Sequence, residues 1–253
     1  AQESRGLGDV YKRQEEHIRR QAKEWLEDAV VRLPQELTRT GHVRFAESFA
    51  EGLIAAGEEF DARLIVIGTA GGSIFGRHRL GSVASELLHS SSIPVALAPA
   101  GTAEQDDHVL PRVTAAVGNR AGADNLLDEA AAIATESRVG LRLVSLVPFD
   151  VPPGLDTGAI RVVGDEHANE VLEIAKGLLP EELKAEVEEA PGDTVEDAVA
   201  HLSWLPGEVV LVGSSRLAQP RRLFLGSTAA KMLHELPVPM IVVPRTRAEA
   251  GVR

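Results

Sequence analysis

Cysteine is absent from all 253 residues. That excludes disulfides, thiolate metal sites and thiol catalysis, and it suits a reducing compartment such as the cytoplasm. Aromatic residues are scarce, at 4%, too few for the stacking platforms that hold single-stranded nucleic acid. Cations are outnumbered: 26 Lys and Arg stand against 38 Asp and Glu, a net charge of −12. A duplex-binding surface needs clustered cations to displace counterions, so nucleic acid is not an expected partner. No run approaches the roughly 18 apolar residues of a spanning helix, so no membrane association is expected either. What is present is ordinary for a globular chain: 44% hydrophobic and 25% charged.

The opening residues, Ala1 to Gln14, lack a start methionine and an apolar stretch, so they do not read as a signal peptide. The run Asp9-Val10-Tyr11-Lys12-Arg13-Gln14 resembles a translated transposase adapter. The expectation is a non-native or disordered tail over 1–14, with the natural sequence starting near Glu15.

A displacement of 145 residues aligns two halves of the chain without a gap. Ser48-Phe-Ala-Glu51 falls on Asp193-Thr-Val-Glu196, each read as a helix N-cap with an acid three residues on. Leu64-Ile-Val-Ile-Gly68 falls on Val209-Val-Leu-Val-Gly213, and Gly81-Ser82 on Gly226-Ser227. His89, Pro94 and Pro99 fall on His234, Pro239 and Pro244. The chain is therefore a tandem repeat.

The second copy reads as strand 112–117, helix 123–138, strand 141–147, helix 166–179, weak strand 183–189, helix 194–205, strand 209–212, helix 227–235 and strand 240–243. Strands alternating with helices imply crossover units and a mostly parallel sheet. The predicted fold class is α/β: two doubly wound, Rossmann-like, five-stranded domains in tandem, the first lacking its first strands. Arg112 to Gly213 is 101 positions and Glu15 to Gly68 only 53, so about 48 residues of a full copy have no counterpart ahead of Gly68. The first copy retains a helix over 15–33, a strand near 42–46, a helix over 49–60, a strand over 64–67, a helix over 83–89 and a strand over 95–98. The expected domains are 15–100 and 112–246, joined by a linker over 101–111 and followed by a tail over 247–253.

Chemistry concentrates in one loop. The strand ending at Gly68 runs through Thr69, Gly71, Arg77, His78 and Arg79 to Gly81-Ser82, where a helix begins. The pattern is Gly, two residues, Gly, nine residues, Gly-Ser. Gly68 permits a sharp turn after a buried strand, and Gly71 permits close approach of a ligand. Gly81 and Ser82 stand at a helix N-terminus, whose free N–H groups and roughly half a positive charge favour an anion. Ser82 can donate to a phosphate oxygen and cap the helix. Arg77, His78 and Arg79 add positive charge nearby. In the second copy Gly213, Gly226 and Ser227 persist, but Arg216 replaces the second glycine.

This spacing, the Gly-Ser helix start and the closing run Ile93-Pro-Val-Ala-Leu-Ala-Pro99 resemble the universal stress protein family. The resemblance covers the second copy entirely and the first from Glu15. It implies that Gly68, Thr69, Gly71, Gly81 and Ser82 bind a nucleotide, ATP with or without Mg2+. Gly68 and Gly71 then lie against ribose and phosphate, and Gly81 and Ser82 hold the outer phosphates. Gly213, Arg216, Gly226 and Ser227 are weaker candidates. The family's ATP binders place an Asp after strand one to recognise adenine; the second copy reads Val117-Gly118-Asn119 there, with no acid. The resemblance also implies that the two copies pair through their last strands as an intrachain pseudo-dimer, with a homodimer as a further option.

The eight histidines are scattered, and no His-x-x-x-His pair has an acidic third ligand, so no metal is expected. Glu181-Glu182 and Glu188-Glu189 read as solvated faces, and Trp204 as helix-face packing. There is no Gly-x-Ser-x-Gly elbow, no Walker loop and no nucleophile beside a base. The leading expectation is a cytoplasmic, nucleotide-binding stress regulator with no catalytic residue and at most slow hydrolysis. A non-nucleotide assembly module stands second, and an adenylyl-transfer enzyme third.

Overall fold

The computed structural model describes residues 2–69, 80–102, 109–118, 123–146, 170–190, 192, 194–215 and 223–245. The chain divides into two compact units, residues 1–48 and 49–253.

The smaller unit is a helix, α1 (Gln2–Arg32), and the chain that follows it. The helix starts well before Glu15 and runs through most of the stretch expected to be a tail. Extending an existing helix adds one hydrogen bond per residue without a new nucleus, so Gly6 and Gly8 do not stop it. Pro34 lies two residues past the helix, and Arg39 donates to the carbonyls of Leu33 and Pro34. Residues 42–46, expected as a strand, lie in no strand. Their neighbourhood packs on its own helix instead. A Cβ on Gly41 would lie 2.9 Å from Leu26, and the Arg19 guanidinium sits 4.6 Å above the Phe45 ring.

The larger unit is one seven-stranded sheet. The first half contributes α2 (Phe49–Glu59), β1 (Ile65–Gly68), α3 (Ser82–Ser90) and β2 (Val95–Ala98). The second contributes β3 (Arg112–Val117), α4 (Ala123–Ser137), β4 (Gly140–Leu146), a helix α5 described over 170–177, β5 (Ala185–Ala190), α6 (Val195–His201), β6 (Val209–Gly213), α7 (Ser227–Glu235) and β7 (Met240–Val243). The strand order is β1-β2-β7-β6-β3-β4-β5. Every pair is parallel except β2 with β7, where Val95, Ala96 and Leu97 face Val242, Ile241 and Met240. The last strands of the two halves thus join the two sheets into one. Within the second half the order is that of a doubly wound fold.

The repeat is geometric as well as textual. Thr69 N–H donates to Ala98 O and Ser214 N–H to Val243 O, both at 2.8 Å. Ile65 N–H donates to Pro94 O and Val210 N–H to Pro239 O, both at 2.9 Å. Each pair of bonds is related by the same displacement of 145 residues.

Apolar runs place β2 and β7 mid-sheet, with Val95, Leu97, Met240 and Val242 fully buried. One face of the sheet packs with α3 and α7 through Leu87, Leu88, Met232 and Leu233. The other packs with α4, whose Leu126, Ala130 and Ala134 recur every fourth residue. The seam between the halves is therefore core.

Two local expectations are corrected. The N-cap of α6 is Thr194, whose hydroxyl accepts from Asp197 N–H at 3.1 Å, one residue beyond Asp193. That helix ends at His201 rather than at Leu205. The residue before Pro206 is biased away from helical backbone, and the carbonyl of Ser203 and the amide of Leu205 are engaged by charged side chains described below.

Candidate functional site

Parallel strands present their carboxyl ends along one side of the sheet, where ligands of doubly wound folds bind. Two Gly-Ser helix starts stand on this side, one in each half.

In the first half, Gly68 ends β1 and is exposed. Thr69 is buried, and its hydroxyl donates to Ala98 O at 3.2 Å. Its side chain therefore ties β1 to β2. Gly81 is the N-cap of α3, with φ −70° and ψ 167° and no side-chain cap. Ser82, expected as the cap, is the first residue of the helix and is exposed. A Cβ on Gly81 would meet no described atom within 4 Å. Among the described residues this is a helix start with no side-chain cap and with its serine exposed, the polarity that attracts an anion. Gly71, Arg77, His78 and Arg79 lie outside the described residues.

In the second half, Gly213 ends β6, and Gly226 caps α7 with nearly the same backbone, φ −71° and ψ 163°. Ser227 is the exposed first residue of the helix. Ser215 N–H donates to Phe224 O at 2.8 Å. Ser214 Oγ accepts from Phe224 N–H at 2.7 Å. A Cβ on Gly226 would lie 3.2 Å from Ser215 Cβ. Arg216 and Asn119 lie outside the described residues. Asn125, in the first turns of α4, donates to Pro244 O at 2.6 Å and fastens that helix over the end of β7.

A third constellation was not legible as a site. At the opposite, amino ends of the strands, Arg112 opens β3, Arg142 lies near the start of β4, and Glu208 precedes β6. Glu208 is 0% exposed and Arg142 1%. Arg142 donates to Glu208 and to Glu188, both at 2.8 Å, and Arg112 donates to Glu208 at 2.8 Å. Thr114 donates to Glu208 and accepts from Arg142 Nε at 2.9 Å. Ser203 O accepts from both arginines, and Leu205 N–H donates to Glu208 at 3.0 Å. Burial pushes the Glu208 pKa up. The bonds from Arg112, Thr114 and Leu205 and the charge of Arg142 outweigh that push and hold it below its ordinary value.

Glu188, expected on a solvated face, is thus an ion-pair partner. Trp204 lies past the end of α6 instead of on it; its Nε1–H donates to Val199 O at 3.0 Å, and its ring lies under the Arg142 guanidinium at 4.8 Å. Two cations and two anions balance, and no buried side-chain polar atom among the described residues lacks a partner. The cluster is a strut that ties β3, β4, β5 and β6 together. Its signal in the sequence was three charged residues at the starts of strands that the doubly wound order makes adjacent.

Among the described residues no group of three His, Asp or Glu could hold a metal ion, and no helix is long and apolar enough to cross a membrane. The universal stress protein family profile matches residues 2–99 and 110–244. The chain belongs to the universal stress protein family. A universal stress protein of Mycobacterium bovis is 27% identical over 221 residues, covering 84% of this chain and 75% of its own. A solved universal stress protein from Archaeoglobus fulgidus covers 78% of this chain and 67% of its own at 23% identity, with a TM-score of 0.55. Another from that organism, solved in complex with dAMP, covers 54% of this chain and 99% of its own at 18% identity and a TM-score of 0.37. Two tandem segments of the family, folded into one mostly parallel sheet, account for the internal repeat.

Proposed function

We propose that this universal stress protein binds an adenine nucleotide, ATP with or without Mg2+, at the carboxyl end of β1. Gly68, Thr69, Gly71, Gly81 and Ser82 form the site. The observation that carries this reading is the difference between the two Gly-Ser helix starts. They share backbone conformation and position in the repeat, but only the first keeps the full glycine spacing of Gly68, Gly71 and Gly81 ahead of its serine, since Arg216 stands where the second half would need its second glycine. Gly81 and Ser82 present the N–H groups and the hydroxyl of an uncapped helix start to the outer phosphates. Thr69 ties the end of β1 to β2, and the motif spacing assigns Gly71 to the phosphates. The second-half set, Gly213, Arg216, Gly226 and Ser227, plays a structural part.

In this reading the protein acts through the bound state, with at most slow hydrolysis. Cysteine-free composition and net negative charge support action in the cytoplasm, away from nucleic acid. The continuous seven-stranded sheet favours a second reading, an assembly module with no nucleotide. Calorimetric titration with ATP separates the two. The intact chain is expected to bind, Gly81→Val to lose binding and Gly226→Val to retain it. Absence of heat and of thermal shift with the intact chain would leave the assembly reading.

A further inference from the structure

Helix α3 has partners at both ends. Its first turn is the proposed phosphate site. Of its last carbonyls, Leu87 O accepts from Ser91 N–H, and those beyond it have no donor further along the helix. Two carbonyls at this end are engaged from the other half of the chain: Leu225 N–H donates to Leu88 O at 3.2 Å, and Leu223 N–H to Ser91 O at 2.8 Å. Between these bonds, Phe224 meets the His89 ring edge-on, with centroids 4.9 Å apart at 82°. Leu223 and Leu225 are buried in the same core cluster as Leu87 and Leu88. Phe224 is in turn fixed to the end of β6 through Ser214 Oγ and Ser215 N–H. Three consecutive residues of the second half thus clamp the C-terminal end of α3 to the second half's own strand end.

We propose that Leu223, Phe224 and Leu225 are positioning residues for the nucleotide site of the first half. The inference rests on the nucleotide reading above. Helix α3 has nine residues, about 13 Å of rise, and its inner face of Ala84, Leu87 and Leu88 is buried. So short and well packed a helix moves as a body, and a clamp on one end sets the position of the other. Donors at the C-terminal carbonyls and an anion at the N-terminal amides also oppose the two poles of one helix dipole. This gives the second half's loop end a function although Arg216 replaces the loop's second glycine. Coupling is reciprocal: nucleotide at Gly81–Ser82 tightens residues 223–225, and loosening those residues weakens the nucleotide.

The test uses the intact chain with ATP. Hydrogen exchange is expected to slow on ATP addition at the amides of Leu223, Phe224, Leu225 and Ser215 as well as in α3. Phe224→Ala is expected to raise the ATP dissociation constant about fivefold with exchange in β3 and β6 unchanged, and Phe224→Tyr to restore it by keeping the ring edge. Ser214→Ala against Ser214→Thr repeats the comparison with a gentler change, should Phe224→Ala fail to fold. ATP binding with protection confined to the first half, or with unchanged affinity in the folded variants, overturns the positioning role alone. No ATP binding by the intact chain overturns this role and the nucleotide reading together.

Discussion

Position 63 and position 208 are the same place in the repeat, one or two residues ahead of the strand that leads to the glycine loop. In the first half it is Arg63, which pairs with Glu136 at 3.2 Å while both side chains are 63% exposed. In the second it is Glu208, fully buried and held by two arginines. Equivalent backbone thus carries a charge in water on one side and in the core on the other. The difference comes from neighbours. β6 lies between β7 and β3, whereas β1 pairs only with β2 among the described residues. The same contrast separates the sheet's two edges. β5 carries Glu186, Glu188 and Glu189, charges that discourage edge pairing. β1 is apolar, and its Val66 is 64% exposed.

Breaking the buried charge has the largest expected effect. Glu208→Ala leaves Arg142 and Arg112 without their shared anion and is expected to cost about 3–5 kcal/mol, read as a lowered urea midpoint. Acid should mimic this. The folded-state pKa of Glu208 is depressed, so its contribution is fully present above the unfolded-state value of about 4.3. It is lost as pH falls through the lower folded value. Glu208→Ala should therefore flatten the stability profile below about pH 4.

Next is the seam. Leu97 is 0% exposed and faces Met240 across the antiparallel pair. Leu97→Ala should cost about 2–5 kcal/mol. If the halves are one cooperative unit, exchange in β1 and β6 should accelerate together; acceleration in β1 alone would separate them.

A smaller effect is expected at Gly207, in the turn before Glu208. Its φ is +80°, and a Cβ there would lie 2.5 Å from Val109 O. Gly207→Ala should cost about 1–3 kcal/mol in thermal unfolding. The smallest belongs to the exposed partner in the comparison. Arg63→Ala should change stability by about 0.2–1 kcal/mol, and a cost near that of Glu208→Ala would refute the contrast between the two positions.

Much of the fold was legible because apolar runs and helix periods recur at a fixed displacement. The strands at 95–98, 112–117 and 240–243 and the helix at 227–235 stand where the pattern puts them. Residues 42–46 alternate like a strand, yet a strand exists only beside another that shares its hydrogen bonds, and that lies outside local sequence. Helix α6 was overextended because Ser203 and Leu205 look helical until Arg142 and Glu208 engage their backbone. Of the site, the glycines and Ser82 were legible by spacing. The close packing of Ser215 on Gly226 was not, since it depends on a residue brought up from beyond the end of β6.

Sequence alone determined the tandem repeat, the α/β class, the glycine-loop motif and the exclusion of thiol chemistry. Those are matters of residue type and spacing, which local physics reads directly. Tertiary structure decided that Glu208 is buried while its counterpart of opposite charge, Arg63, is exposed, and that residues 223–225 reach across the seam to α3. Each depends on strands and loops brought together from distant parts of the chain, where burial and hydrogen-bond partners are set by neighbours in space.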